Sequence, residues 1–192
     1  MTDKADKEKN INNANWEEQG YEDPLFKLNH MIEESIDYFY NNHTKDMDAA
    51  YIVINEIISA MLNHTQVMIP IEMPEAAFKI FDPDKIKEGD IVTTDEELHI
   101  KILNLTDPEG NICMPVFTSQ KKMDENTDGG LSTITFLLDD YIKQVMEMDD
   151  VEGLLINPGE RSFFLKKHIL KGIIGCYEDM RNNFHPADPN LN

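Results

Sequence analysis

Apolar residues along this chain recur at two different spacings. Leu25, Leu28, Ile32, Ile36 and Phe39 recur every three or four positions, and Ala50, Val53, Ile54, Ile57, Ile58, Met61 and Leu62 repeat the pattern. That is the helical period. Asp23-Pro24 precedes the first stripe and reads as an N-cap followed by proline at the first helical position. Asn41-Asn42-His43 breaks the pattern, and the second helix is expected to start near Asp46. A short polar link between two helices predicts an antiparallel pair, here one that covers a sheet.

Beyond residue 66 the period shortens. Val67 to Met73 reads as a strand whose Pro70, lacking an N–H, belongs at an edge or a bulge. Residues 74–95 suit an irregular connection with a short strand, anchored by Phe78, Ile80, Ile86 and Ile91. Leu98, Ile100 and Ile102 alternate with polar residues, Asp107-Pro108-Glu109-Gly110 fits a type I turn, and Ile112 to Phe117 runs back as a hairpin partner. Pro115 marks an edge, a bulge or the end of pairing. Gln120 to Gly130 is polar and reads as a surface loop with one helical turn near its start. A helix follows on Leu138, Tyr141, Ile142, Val145 and Met148, closed by Asp149-Asp150. Leu154 to Ile156 is a short strand. Asn157-Pro158-Gly159 puts proline and glycine at the centre of a type II turn, and Ser162 to Leu165 returns. Ile169, Leu170, Ile173, Ile174 and Tyr177 mark the last helix.

These elements predict a mixed α/β (α+β) domain. One sheet of about five to six short strands is covered by amphipathic helices and preceded by a helical pair. The domain is expected over residues 23–180. Residues 1–22 are too polar to offset the entropy of ordering, although Trp16 and Tyr21 suit anchoring on the domain or on a partner. Residues 181–192, with Pro186 and Pro189, are expected to fray.

At 192 residues the chain suits one domain, and it can bury roughly 70% of its unfolded surface without a disulfide or metal. Its formal charge of −20 argues against a nucleic-acid partner or an anionic membrane surface, both of which require basic residues. The charge suits solubility, or docking of a basic protein partner. Met1 to Lys7 has no apolar signal core, and no stretch reaches the roughly 18 apolar residues of a membrane span, so a cytoplasmic location is expected. Cys113 and Cys176 lie in apolar surroundings and read as small buried hydrophobes.

No catalytic constellation emerges. The histidines are scattered, and neither Cys-x-x-Cys, His-Glu-x-x-His nor a calcium-loop pattern occurs, so no metal or cofactor is expected. Gly129-Gly130 lacks a following P-loop signature, and there is no Gly-x-Ser-x-Gly elbow. Two short segments remain as a candidate ligand or partner surface: Phe117, Thr118 and Ser119, and Asn157, Pro158 and Gly159. Each also has a structural reading. Thr118 or Ser119 suits capping of a following turn, and Asn-Pro-Gly suits the turn itself.

Met114-Pro115-Val116-Phe117-Thr118-Ser119, a helix, and then Gly153-Leu154-Leu155-Ile156-Asn157-Pro158-Gly159 together resemble the SseB N-terminal domain family. The Ala50–Leu62 helix and the proline-bearing strand at Val67 to Met73 sit where that family places such elements, so the resemblance spans about residues 47 to 177. It implies a bacterial cytoplasmic α/β domain without an established active site, in a family associated with enhanced serine sensitivity and type III secretion regulators. The helix before residue 47 is an addition to the family pattern, and the second, C-terminal domain found in some members is not expected in these 192 residues. The resulting expectation is a non-catalytic protein-binding or regulatory module. The alternative is a small-molecule sensor or an unrecognised enzyme, using loops 118–130 and 157–159 at one sheet end. A structural or oligomerisation role for the helices at 24–62 is a third reading.

Overall fold

The computed structural model describes residues 26, 28–46, 48–73, 99–107, 109–127 and 131–183. The polar segment 1–22, the Asp23-Pro24 cap and the 74–95 connection lie outside them. The described elements run α1 (Asn29–Asn42), α2 (Ala49–Leu62), β1 (Gln66–Glu72), β2 (Lys101–Ile102), β3 (Leu105–Thr106) and β4 (Ile112–Val116). They continue with α3 (Gln120–Asn126), β5 (Ser132–Leu137), α4 (Leu138–Glu147), β6 (Val151–Ile156), β7 (Phe163–Lys166) and α5 (Lys167–Asn183). The mixed α+β class is as expected. Ile32 and Ile36 of α1, Val53, Ile57 and Met61 of α2, and the inward faces of β1, β4, β6 and β7 share one buried apolar cluster with α4 and α5. The helical stripes thus do what their period predicts: they bury one face against the strands.

The strands divide between two sheets rather than forming one, in the orders β2-β1-β5 and β3-β4-β6-β7. A single antiparallel bridge joins them, with Met68 and Phe117 exchanging backbone hydrogen bonds at 2.9 and 2.8 Å. Two prolines explain why pairing stops there. Peptide groups two residues apart on a strand point the same way. In the register set by Met68 and Phe117, Pro70 of β1 falls opposite Pro115 of β4. Neither has an N–H to donate, so the ladder ends after one bridge. Instead, the Pro70 carbonyl accepts from the Leu103 N–H at 3.0 Å. Pro70 is therefore not on an outer edge, since β1 is flanked by β2 and β5; Pro115 ends pairing on one side of a strand that lies between β3 and β6.

Other expectations shift locally. The hairpin at Asp107 to Gly110 forms, closed by the Gly110 N–H on the Asp107 carbonyl at 3.0 Å, but its first arm is Leu105–Thr106. Lys101–Ile102 pairs with β1 instead, because its alternating pattern suits either neighbour. The polar stretch after Ser119 holds a two-turn helix, and Ser132–Leu137 is a full strand paired with β1. The last helix continues to Asn183, past the expected boundary at residue 180. Cys113 is buried, which pushes its thiol pKa up, whereas Cys176 is exposed and not the buried hydrophobe expected.

Tyr141 of α4 is fully buried, its hydroxyl has no hydrogen-bond partner among the described residues, and burial raises the phenol pKa above its ordinary value. Tyr141→Phe removes an unpaired buried polar atom and keeps the ring, so it should stabilise the chain at neutral pH by about 1 kcal/mol. A pKa raised on folding leaves the neutral form's stabilisation intact below about pH 10 and erodes it as pH climbs higher. Urea midpoints at neutral and alkaline pH should therefore show a smaller alkaline loss in the phenylalanine variant. Equal losses in both proteins would contradict this account of Tyr141.

Candidate functional site

The two segments singled out in the sequence meet. β4 and β6 are parallel neighbours, so the residues that follow them leave the sheet at the same end. Thr118 and Ser119 follow β4 and its bridge residue Phe117; Asn157 follows β6. Asn157 is held by its own N–H donating to the Val116 carbonyl at 2.8 Å. Its φ of 48° is left-handed, a conformation that asparagine tolerates better than most residues. This backbone turns the amide side chain back onto the β4 exit. Asn157 Oδ1 accepts from the Thr118 N–H at 2.9 Å, and Asn157 Nδ2 donates to Thr118 Oγ1 at 2.8 Å.

Helix α1 completes the corner. The Thr118 hydroxyl donates to Glu33 Oε1 at 2.5 Å and the Ser119 hydroxyl donates to the same oxygen at 2.8 Å. One turn earlier, Asn29 Nδ2 donates to the carbonyls of Thr118 and Gln66, both at 2.8 Å. Thr118, Ser119, Asn157 and Asn29 are all buried. In a water-poor corner such bonds matter, because an unpaired buried polar group costs more than its bond is worth in water. Ser119 also accepts from the Lys122 N–H at 3.2 Å and caps α3, as its residue type suggests.

The remaining expected site residues have structural duties. Phe117 is buried and carries the bridge between the sheets. Pro158 is half-buried and Gly159 is exposed. Gly159 has φ 148°, away from the value near +80° of a type II turn, and a Cβ there would lie 1.7 Å from Asn126 Oδ1 of α3. The turn therefore differs from the one expected, and its left-handed asparagine is the residue that shapes the corner.

Asn29 and Glu33 were not among the candidates. Their only sequence signal is polarity at positions i and i+4, beside the apolar stripe of Ile32 and Ile36. Among the described residues, no group of three or more His, Cys, Asp or Glu side chains is placed to hold a metal ion.

Residues 54–169, more than half of the chain, match the profile of the SseB protein N-terminal domain. The chain belongs to this family. No curated protein and no solved structure matches it. The matched SseB segment contains Thr118, Ser119 and Asn157, whereas Asn29 and Glu33 lie ahead of it. The hydroxyl donors of the corner thus belong to the SseB domain, and their carboxylate acceptor comes from the preceding helix. No described helix is long and apolar enough to cross a membrane.

Proposed function

We infer that this SseB-family chain is a non-catalytic protein-binding or regulatory module of the cytoplasm, which acts by docking a partner. The observation that carries this reading is the outer edge of β5. In its register with β1, the peptide groups of Thr133 and Thr135 point away from that strand, and no strand among the described residues pairs with them. An open edge is a template for an added strand. The formal charge of −20 favours a partner with basic residues beside its docking strand. Thr135→Pro removes one outward N–H without touching a bond to β1. Pull-downs at low and high salt should recover a specific partner with the wild-type chain and lose it with this variant. No specific partner at either salt concentration would count against the reading.

A second reading, a small-molecule sensor or an unrecognised enzyme, is supported by the convergence of Thr118 and Asn157. They meet at the carboxyl end of two parallel strands, the end where open α/β sheets commonly hold ligands.

A further inference from the structure

We propose that the corner formed by Thr118, Ser119 and Asn157 is a binding site for a small carboxylate, occupied in cis by the side chain of Glu33. This rests on the second reading above and names its ligand class.

Three observations support it. First, the chemistry of the corner is already that of carboxylate recognition: two hydroxyls from consecutive residues converge on one carboxylate oxygen, at 2.5 and 2.8 Å. Hydrogen bonds to an ionised acceptor are the short, strong kind. Asn157 Nδ2 donates to Thr118 Oγ1 at 2.8 Å, and the one hydroxyl proton has two acceptors in reach, Glu33 Oε1 at 2.5 Å and Asn157 Oδ1 at 3.0 Å, of which the carboxylate is the nearer.

Second, the donors and the acceptor come from different parts of the chain. Thr118 and Ser119 lie within the SseB match at residues 54–169, and Glu33 lies before it. Buried hydroxyls need partners. Within the matched segment the Thr118 hydroxyl also lies 3.0 Å from Asn157 Oδ1, so it is the Ser119 hydroxyl whose acceptor comes from outside that segment.

Third, Asn29 Oδ1 is fully buried and has no hydrogen-bond partner among the described residues, although Nδ2 of the same amide donates to the Thr118 carbonyl. The carboxylate of Glu33 has no proton with which to fill that acceptor. A ligand that carries a hydroxyl or ammonium group next to its carboxylate does bring such a proton. Ile32 and Ile36 keep α1 anchored in the core on either side of Glu33.

The test removes the resident carboxylate from the full chain and supplies a free one. In Glu33→Ala, about 100 mM sodium acetate should raise Tm saturably by about 3 °C over the same concentration of sodium chloride. The wild-type chain, its corner filled, should show no difference between the two salts. Adding Ser119→Ala to Glu33→Ala should abolish the acetate effect. Glu33→Asp, which withdraws the carboxylate by one methylene and keeps the charge, is the second variant; it should show the same acetate-specific rise if the alanine variant does not fold. Equal responses to acetate and chloride in the Glu33 variants would overturn the proposal, as would an acetate effect of the same size in the wild type. A thermal-shift screen of other metabolites on the same proteins separates the two failures: stabilisation by a non-carboxylate would sink this inference and leave the sensor reading standing.

Discussion

Asn157→Ala is expected to destabilise the chain by about 3 kcal/mol, through two separable effects. The first is loss of bonding. Asn157 supplies the acceptor for the buried Thr118 N–H and the donor to Thr118 Oγ1, and alanine supplies neither. The Thr118 N–H is then left unpaired on a residue that is 1% exposed, where water cannot easily replace the lost acceptor. Leaving such a group unsatisfied costs about 1–3 kcal/mol. The second effect is conformational. Position 157 has φ 48°, where a Cβ crowds the following carbonyl and costs alanine roughly 1 kcal/mol. Asn157→Gly isolates the first effect, since glycine accepts this backbone without strain but makes no side-chain bonds. Urea denaturation should rank wild type above the glycine variant, and the glycine variant above alanine. If alanine matched the wild type, the corner would not be part of what holds the two strand exits together.

Gly153→Ala should be comparably damaging for a different reason. Gly153 lies in β6, paired with Lys166 of β7, and a Cβ there would sit 2.1 Å from the Leu165 carbonyl oxygen and 2.9 Å from its carbon. These are backbone atoms of a hydrogen-bonded neighbour, so no rotamer change can relieve the overlap. The strands must separate, which weakens the β6–β7 ladder and the packing of Leu154 and Leu165 beneath it. Overpacking at a rigid site costs about 3 kcal/mol. Gly172→Ala on α5 is the internal contrast: a Cβ there meets nothing within 4 Å, and a helical glycine replaced by alanine gains about 0.5–1 kcal/mol. Thermal melts should therefore move in opposite directions for the two substitutions. A Gly153→Ala protein as stable as the wild type would mean that β6 and β7 do not approach this closely.

The parts of the fold that were legible beforehand are those encoded within a few residues. Ile32 and Ile36, or Tyr141 and Val145, lie on one face of a helix because 3.6 residues make a turn, and burial follows. Ser119 before a helix, and Asp107 and Gly110 bounding a turn, act through bonds to residues two to four positions away. Even the two halves of the candidate corner were visible, as Phe117-Thr118-Ser119 and Asn157-Pro158-Gly159, because their order and spacing resemble one family. The strand at Ser132–Leu137 is masked in the sequence although it alternates, since it runs directly into α4 and its Leu137 adjoins the helical stripe that begins at Leu138.

Local patterns along the chain therefore carry the class of fold, most of the helices and strands, the family, and the two segments that form the corner. Folding in three dimensions sets Pro70 against Pro115 and splits the strands into two sheets, folds Asn157 back onto Thr118, and brings Glu33 to both hydroxyls from 85 and 86 positions away. The division has a physical cause. Periodicity and capping express forces that act along a few peptide units. Register between distant strands, and the meeting of a helix face with two strand exits, are set by the packing of the whole apolar core, which no local pattern contains.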